Sequence, residues 1–452
     1  MNKKLHSWNP VTKELIGEVE VTEVSEINEI VKKSKIAQKE WASLTINERI
    51  NYLKKVGEVL SQRAKGLTVL LSKEMGKDLG RASGEVNGCA GDITYRADEV
   101  KKAIETQRFI SYGVQTELEY NPLGVVAVIS PWNYPISMAH WLIIPSLVAG
   151  NSVVFKPSEE TPLIAQEYAK IFQAILPKNV LQIIHGDEEQ GKALVQSDVN
   201  LIAFTGSKEA GKHIMKSASD GLKRLILELG GKDPLIVMED ANIDKAARFA
   251  VASSFENAGQ MCTSTERIYV HENIKDQFIK KVTQIASHYE VGSWDNPNTD
   301  IGAIINDNQR NIIREHINDA IEKGAKLHLG NIKREDSFVE PTVLSEVTDD
   351  MLVFKDETFG PVVAISSYSD IDDAINRANQ SEFALGASIF GNKNVDEVAK
   401  KLDAGMLGIN QGVGSIGDTP WIGAKQSGYG YHGSPDGHRQ FTQAKVVTRS
   451  LK

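Results

Sequence analysis

Short runs of β-branched and other apolar residues alternate with helix-length segments between Leu123 and Val237, and this alternation constrains the fold most strongly. The runs read VVAVIS, SVVFK, VLQII, NLIAF, RLILEL and PLIVM. Parallel strands need a long connection between them, which is usually an α-helix, so the pattern predicts βαβ units and a mostly parallel sheet covered by helices. The predicted fold class is therefore α/β.

The regions outside this stretch predict a second α/β unit and two unattached strands. Apolar residues three and four apart indicate helices from Val24 to Ile104, and the strand and helix alternation resumes after Cys262. A chain of 452 residues is long enough for two or three domains. Residues 108–120 and the tail AKVVTRSLK read as strands that add to a sheet or to a partner subunit, because an isolated two-stranded ribbon is only marginally stable.

Charge and cysteine content exclude several classes of protein. The chain carries 51 basic and 60 acidic side chains, a formal net charge of -9. Neither nucleic acid nor an anionic membrane surface is therefore expected as a partner. Two cysteines, Cys89 and Cys262, provide no disulfide framework and no zinc cluster, so no metal site is expected. No apolar run typical of a secretory signal follows the first residues, and a cytoplasmic location is expected.

Polar residues follow several predicted strands, at the positions where α/β sheets bind ligands. Asn133 lies between two prolines after VVAVIS, and its amide could donate to an oxyanion or only cap the next helix. Lys156 and Glu159 suit a ribose diol, although a simple salt bridge would use the same residues. Ser207 follows a glycine at a predicted helix start, which could bind phosphate or serve as an N-cap. The spacing is not the GxGxxG fingerprint.

Glu228 and Cys262 are the candidate reactive pair. Glu228 lies among leucines and glycines, and apolar surroundings raise the pKa of a carboxyl group, as a general base near neutral pH requires. Cys262 follows a turn-like stretch in which a thiol can be accessible, although a lone cysteine is more often a small buried hydrophobe. Cys89 lies in a helical segment rich in small residues and is expected to serve packing.

Taken in order, these segments resemble the NAD(P)-dependent aldehyde dehydrogenase superfamily, in its non-acylating, hydrolytic type. The motif order and the 34-residue interval from Glu228 to Cys262 carry the resemblance, which spans residues 9–447. It implies two Rossmann-like three-layer α/β domains and a small β ribbon. Residues 1–107 and 121–229 would form the NAD-binding domain and residues 230–428 the catalytic domain. Residues 108–120 and 440–452 would be oligomerisation strands that form a dimer or tetramer.

The resemblance also implies the roles of individual residues. Cys262 would be the nucleophile and Glu228 the general base, and Asn133 would form the oxyanion hole with the backbone amide of Cys262. Residues implied to bind the cofactor are Ser130, Pro131, Trp132, Lys156, Ser158, Glu159, Gly206, Ser207, Gly211, Leu229, Gly230, Glu357 and Phe359. The aldehyde would become a carboxylic acid through a thiohemiacetal and a thioester on Cys262.

Two residue groups imply a choice of cofactor and substrate. Glu159 would accept a hydrogen bond from a ribose 2'-OH and repel a 2'-phosphate, so NAD is preferred over NADP. The residues implied to contact the aldehyde are Tyr134, Met138, Trp141, Leu142 and Trp421. They predict an apolar or aromatic aldehyde, and relatives that bind short carboxylated aldehydes often have arginine at the position of Trp141. Ser415 and its glycine neighbours would leave one wall of the tunnel open.

Three alternatives remain at this stage. One is a semialdehyde dehydrogenase, such as the succinate-semialdehyde type. A second is a thiol hydrolase that pairs Cys262 with a histidine, for which His271 and His288 are the nearest candidates. The third is a non-catalytic NAD-binding protein on the same scaffold, which the presence of Asn133, Glu228 and Cys262 together argues against.

Overall fold

A computed structural model describes residues 3–331, 334, 336–414 and 419–451. It contains a six-stranded and a seven-stranded sheet, both mainly parallel and both packed with helices. The central strands are buried along their whole length, as expected when helices cover both faces of a parallel sheet. The predicted α/β class is confirmed.

The first part of the chain is a hairpin followed by three long helices. Its elements are β1 Lys4–Trp8, β2 Leu15–Glu20, α1 Val24–Ser43, α2 Ile46–Met75 and α3 Leu79–Ala103. The helices lie where the apolar spacing predicted them. Helix α2 begins with a capping box in which Thr45 and Glu48 bond to each other's backbone amides. The hairpin was not predicted, because its strands are short and largely exposed.

The six-stranded sheet takes five parallel strands from the middle of the first half. The elements in this region are β3 Gln107–Ser111, β4 Val114–Pro122, β5 Val125–Ile129, α4 Pro135–Val148, β6 Ser152–Lys156, α5 Pro162–Ile175, β7 Leu181–Ile183, α6 Glu188–Gln196, β8 Leu201–Thr205, α7 Lys208–Ala218 and β9 Arg224–Glu228. The parallel strands lie in the order β9-β8-β5-β6-β7. The strand order therefore reverses between β5 and β8, where the chain leaves β5 for β6 on one side and returns to β8 on the other.

The seven-stranded sheet is formed by the second half of the chain. Its elements are β10 Asp233–Val237, α8 Ile243–Phe255, β11 Thr265–His271, α9 Lys275–Ala286, α10 Asp307–Glu322, β12 Lys326–Leu329, β13 Thr342–Ser345, α11 Leu352–Lys355, β14 Val362–Tyr368, α12 Ile371–Asn379, β15 Phe383–Ala384, β16 Gly386–Phe390, α13 Val395–Lys401 and β17 Met406–Ile409. The sheet order is β12-β13-β14-β11-β10-β16-β17. The run PLIVM is β10, so the alternation that begins at Leu123 crosses from one sheet to the other.

The C-terminal segment returns to the first half of the molecule. Its elements are β18 Ala424–Lys425, β19 Gly428–Tyr429, α14 Ser434–Arg439 and β20 Thr442–Ser450. Strand β19 pairs antiparallel with β9 and completes the six-stranded sheet. Strand β15 pairs with β18 in a separate two-stranded sheet.

A three-stranded ribbon contains the two segments that the sequence placed outside both units. Strand β20 pairs with β4 from Thr442 to Ser450, and β4 pairs with β3. The single strand expected over residues 108–120 is therefore a hairpin, which turns at Tyr112 and Gly113, both with positive φ. Alternation of side chains cannot reveal such a turn when polar and apolar residues alternate on both sides of it. No helix among the described residues has the length and apolar character needed to cross a membrane.

Candidate active site

The carboxyl ends of β5, β8 and β9 open into a cavity of about 600 Å³. Trp132 and Asn133 follow β5, Gly206 follows β8, and Glu228 ends β9, and all four line this cavity. The cavity lies where the strand order reverses between β5 and β8, which is the position at which open α/β sheets bind ligands. The sheet topology therefore gathers residues that are far apart in the sequence.

Cys262 reaches the cavity on a constrained loop between α8 and β11. The preceding residues Asn257, Ala258 and Gly259 all have left-handed backbones, with φ of 52°, 59° and 74°. The side chain of Gln260 donates to the carbonyl of Asn257 at 3.1 Å and accepts from the amide of Ile305 at 3.0 Å. Such conformations persist only when the surroundings hold them, so the loop presents the thiol in a defined position.

Asn133 is fixed against the same loop. It is only 6% exposed, and its Nδ2 donates to the carbonyl of Gln260 at 3.1 Å. The carbonyl of Asn133 in turn accepts from Nδ2 of Asn257 at 3.2 Å. A side-chain amide carries two donor hydrogens, so this bond orients the group and leaves a second hydrogen for a ligand oxygen.

Glu228 and Cys262 line the same cavity, close enough for each to shift the pKa of the other. Burial raises the pKa of Glu228 to about 7, while hydrogen bonds from Cys262 and Trp421 oppose that rise. The indole Nε1 of Trp421 donates to Glu228 Oε1 at 3.5 Å. Burial, together with the negative charge of Glu228, raises the pKa of the Cys262 thiol. Near neutral pH the thiol is therefore protonated, beside a carboxyl group suited to take its proton.

The close approach of the two sheets requires a glycine at residue 231. A Cβ atom on Gly231 would overlap the carbonyl oxygen of Cys262. The amide of Gly231 donates to Glu357 Oε1 at 2.9 Å, and burial raises the pKa of Glu357 to about 8. The segment that joins β9 to β10 therefore contacts both the thiol loop and the loop that contains Glu357.

The residues predicted to bind the cofactor divide into two groups. Those that line the cavity are Pro131, Trp132, Gly206, Ser207, Leu229, Gly230, Glu357 and Phe359. The remainder, Ser130, Lys156, Ser158, Glu159 and Gly211, do not line it. Lys156 Nζ and Glu159 Oε2 form an ion pair of 3.3 Å at the end of β6, next along the same edge of the sheet. An elongated ligand that left the cavity along this edge would reach them.

Several local features fit a dinucleotide. Ser207 caps α7 by accepting the amide of Ala210 at 3.3 Å, so the predicted N-cap is present and the helix start faces the cavity. A Cβ atom on Gly206 would overlap the ring of Phe204, so only glycine fits at this position. The backbone there carries no side chain that would keep a ligand away. The buried hydroxyl of Ser130, two residues before Trp132, has no hydrogen-bond partner among the described residues.

Comparison with known proteins agrees with this geometry. The model of the aldehyde dehydrogenase family matches residues 1–447. The chain belongs to the aldehyde dehydrogenase family. A probable succinate-semialdehyde dehydrogenase (NADP(+)) of Sinorhizobium fredii is 37% identical to it, over 97% of this chain and 91% of that protein. Aminoaldehyde dehydrogenase 2, peroxisomal, of Pisum sativum is 32% identical over 100% of this chain and 93% of that protein.

A solved structure shows the same fold over the whole length. The NADP-dependent glyceraldehyde-3-phosphate dehydrogenase from Bacillus halodurans C-125, complexed with NADP, matches with a TM-score of 0.96 and 31% identity. The match covers 100% of this chain and 96% of that one. This aldehyde dehydrogenase is therefore an oxidoreductase that uses a nicotinamide cofactor, and the resemblance inferred from the motifs is confirmed.

The end of the aldehyde dehydrogenase cavity beyond Cys262 is lined mainly by aromatic and apolar side chains. Of the residues predicted to contact substrate, Tyr134, Met138, Trp141 and Trp421 line the cavity. The expectation for Leu142 is wrong, because it is 1% exposed and lies in the core beside the six-stranded sheet. On α4, Trp141 lines the cavity while the next residue, Leu142, points into the core. Ser415 lies outside the described residues.

Glu256 lines the same wall, and the sequence analysis did not select it. Its Oε1 accepts from the hydroxyl of Tyr134 and from Nε of Arg81, both at 3.0 Å, and its side chain is 35% exposed. Five other lining residues were also missed, namely Ser137, Thr205, Met261, Gln309 and Ile312. No local pattern marks Glu256, since only the fold brings it beside Tyr134.

The alternative of a thiol hydrolase finds no histidine in the part of the cavity wall that the structure describes. Neither His271 nor His288 is among the described lining residues. His288 Nδ1 bonds to the carbonyl of Gln284 at 2.7 Å, and His271 Nδ1 accepts from the amide of Asn273 at 3.3 Å. Cys89 is buried, and burial raises the pKa of its thiol, as expected of a packing residue.

Proposed function

We propose that this aldehyde dehydrogenase converts its substrate to a carboxylic acid through a thioester on Cys262, with Glu228 as general base and Asn133 in the oxyanion hole. The placement of the Cys262 thiol and the Glu228 carboxyl group in the wall of one cavity carries the proposal. Residues 1–107 and 121–229 are assigned to cofactor binding and residues 230–428 to catalysis. In support, the cavity lies between the carboxyl ends of the first sheet and the Cys262 loop.

The first half of the reaction forms the thioester. Glu228 takes the proton of Cys262, and the thiolate attacks the carbonyl carbon while the carbonyl π electrons move to oxygen. The Asn133 amide and the backbone N–H of Cys262 donate to this oxyanion. The bound nicotinamide cofactor supplies the acceptor for the hydride that leaves the same carbon. Cys262 retains the acyl group as a thioester.

The second half releases the acid. Glu228 first releases the proton of Cys262 to solvent. It then takes a proton from water while the resulting hydroxide attacks the thioester carbon, and the C–S bond breaks to return the thiolate. The hydrogen bond from Trp421 orients the carboxyl group for this step. With a pKa of about 7, Glu228 is mostly deprotonated only above neutral pH, so turnover falls as pH drops below that value.

We propose that NAD is preferred over NADP because of Glu159. Its carboxylate and the Lys156 ammonium form a pair at the end of β6, and a ribose 2'-OH can donate to the carboxylate. A 2'-phosphate would bring a second negative charge to the same place. The Sinorhizobium relative and the Bacillus structure carry NADP in their names. A preference of this chain for NAD would therefore distinguish it from them.

The cavity wall supports an uncharged apolar or aromatic aldehyde. Tyr134, Trp141 and Trp421 provide ring faces, and the ring centroids of Trp141 and Trp421 are 5.7 Å apart. Among the described lining residues there is no lysine or arginine. A carboxylated aldehyde, such as succinate semialdehyde, would meet the carboxylate of Glu256, and Arg81 is already paired with that carboxylate.

An aldehyde with an amino group is a second candidate, and Glu256 favours it. A carboxylate beside aromatic faces suits an ammonium group through charge and cation–π attraction. The Pisum relative is named an aminoaldehyde dehydrogenase. Only one oxygen of Glu256 accepts the bonds from Tyr134 and Arg81, so the other oxygen is available in the part of the chain that the structure describes.

We also propose that the ribbon of β3, β4 and β20 mediates self-association. Its edge strands expose large apolar side chains, including Phe109 at 54%, Ile110 at 70% and Val446 at 65%. An open sheet edge with exposed apolar residues is a surface that a second copy can cover. A dimer or tetramer would bury these residues.

The first prediction concerns catalysis. Glu228→Gln should slow the burst of NADH as well as later turnover, because Glu228 takes the proton of the Cys262 thiol before hydride transfer and the proton of water in deacylation. Steady-state turnover should then fall about 100-fold or more, the usual contribution of a general base. Stopped-flow absorbance measures both phases. Cys262→Ala is the matched control, which should bind NADH but give no burst; turnover in that variant would overturn the mechanism.

The second prediction concerns the cofactor. The ratio of kcat/KM for NAD over NADP should exceed one in the wild type and fall about fivefold in Glu159→Gln. One half-exposed charge contributes about 1 kcal/mol, which corresponds to that factor. Initial rates at varied cofactor concentration measure the ratio. A wild type that favours NADP would show that Glu159 does not decide the choice.

The third prediction concerns the aldehyde. The wild type should have a lower kcat/KM for succinate semialdehyde than for an uncharged aromatic aldehyde. Glu256→Gln should raise the value for succinate semialdehyde about fivefold, since a repulsion of about 1 kcal/mol is removed. The same change should lower the value for 4-aminobutanal if the aminoaldehyde candidate holds. The uncharged aldehyde is the control and should change less than twofold; equal changes for all three would exclude a charge effect.

The fourth prediction concerns assembly. Sedimentation should show the wild type as a multiple of the 49.7 kDa chain. The double variant Ile110→Lys and Val446→Glu should sediment as a single chain, because charges on the buried edges prevent pairing. Ile36→Lys alters an equally exposed residue on α1 and should leave the assembly intact. A monomeric wild type would contradict the proposed role of the ribbon.

A further inference from the structure

Glu266 is a buried carboxylate that takes no part in the proposed mechanism. It lies on β11, four residues after Cys262, and is 4% exposed. Its Oε2 accepts the backbone N–H of Thr358 and its Oε1 accepts that of Phe359, both at 2.8 Å. A carboxylate that accepts from two successive amides makes charge-assisted bonds to both and fixes the turn that contains them.

Lys232 completes this arrangement. It is 1% exposed, its Nζ pairs with Glu266 Oε2, and it donates to the Thr358 hydroxyl at 3.2 Å. Lys232 lies four residues after Glu228 on the segment that joins the two sheets. Both members of the buried pair therefore contact the same turn. Lys232 follows Glu228 by four residues, and Glu266 follows Cys262 by four residues.

The turn itself is strained and held from both sides. Phe359 has φ of 52°, a region that residues with a side chain seldom adopt. Gln309 Nε2 donates to the carbonyls of Thr358 and Phe359, at 3.0 and 3.2 Å. The Phe359 ring meets Trp132 edge to face, with centroids 5.5 Å apart. Such a backbone persists because surrounding contacts hold it, and Glu266 supplies the contacts to its amides.

We propose that Glu266, paired with Lys232, is a positioning residue that holds residues 357–359 in the conformation needed to seat the nicotinamide end of the cofactor. The inference rests on the proposed function, because Glu357 and Phe359 line the cavity that contains Cys262. Glu266 acts through the turn and not by contact with the cofactor. Since hydride transfer needs close alignment, a displacement of about 1 Å costs about 100-fold in rate.

The test uses Glu266→Gln in the full chain. Glutamine keeps the shape but loses the charge, and its single acceptor oxygen cannot serve both amides and Lys232. NADH formation in the burst should slow about 10- to 100-fold. NADH affinity, measured by calorimetry, should fall about tenfold, while affinity for ADP-ribose, which lacks the nicotinamide ring, stays within twofold. Hydrolysis of 4-nitrophenyl acetate without cofactor, which needs only Cys262 and Glu228, should also stay within twofold.

Two further variants separate positioning from a general loss of structure. Glu397→Gln changes an exposed paired carboxylate and should leave every readout unchanged. The double variant Glu266→Gln and Lys232→Met removes both buried charges, so its melting temperature should recover relative to either single variant. Its burst should nevertheless remain slow, because the amides of Thr358 and Phe359 still lack their acceptor.

Several outcomes would overturn the inference. One is a burst in Glu266→Gln within twofold of the wild type. A second is a burst in the double variant that recovers together with the melting temperature. A third is an equal fall of the affinities for NADH and for ADP-ribose in Glu266→Gln and in the double variant. If the wild type formed no NADH with any aldehyde tested, the proposed function itself would be overturned. The ratio of NADH to ADP-ribose affinity would still test the positioning role in that case.

Discussion

The proximity of Glu228 and Cys262 is the constraint on which the rest of the site depends. Glu228 ends β9 of one sheet, and Cys262 precedes β11 of the other, so the two sheets must approach within side-chain reach. Gly231 permits this approach, because any larger residue there would strike the Cys262 backbone. The three left-handed residues before Gln260 then bring the thiol to the carboxyl group at the end of β9. The geometry proposed for catalysis therefore depends on how the two sheets meet and not on either sheet alone.

Burial raises the pKa values of several carboxyl groups where the two sheets meet. Glu228, Asp233 and Glu357 are buried close together, and desolvation raises the pKa of each to about 7 or 8. Carboxyl groups with such values can release and take up protons near neutral pH. Glu266 is buried at the same place, where it accepts from two backbone amides and pairs with Lys232. Of these buried acids, Glu228 is the one proposed to transfer protons, and Glu266 is the one proposed to position a loop.

Chemistry and substrate choice come from different parts of the cavity. The reactive groups lie at strand ends and on a constrained loop, where the backbone determines their positions. The wall beyond them comes from α4, the end of α8 and residue 421 near the C-terminal strands. Side chains such as Trp141 and Glu256 can change without removing either partner of the Glu228–Cys262 pair, whereas Trp421 also bonds to Glu228. This separation is consistent with relatives that share the fold and are named for different aldehydes.

The sequence alone predicted the α/β class and helices such as Ile371–Asn379, because the spacing of apolar residues indicates which face of an element is buried. It also predicted the family, because the order of the motifs is typical of that family. It also selected Asn133, Glu228 and Cys262, which the fold brings into one cavity. Only the tertiary structure placed Leu142 in the core and revealed the contacts of Glu256 and Glu266. The reason is physical: the environment of a charge depends on contacts with residues far away in the chain, and no local pattern encodes them.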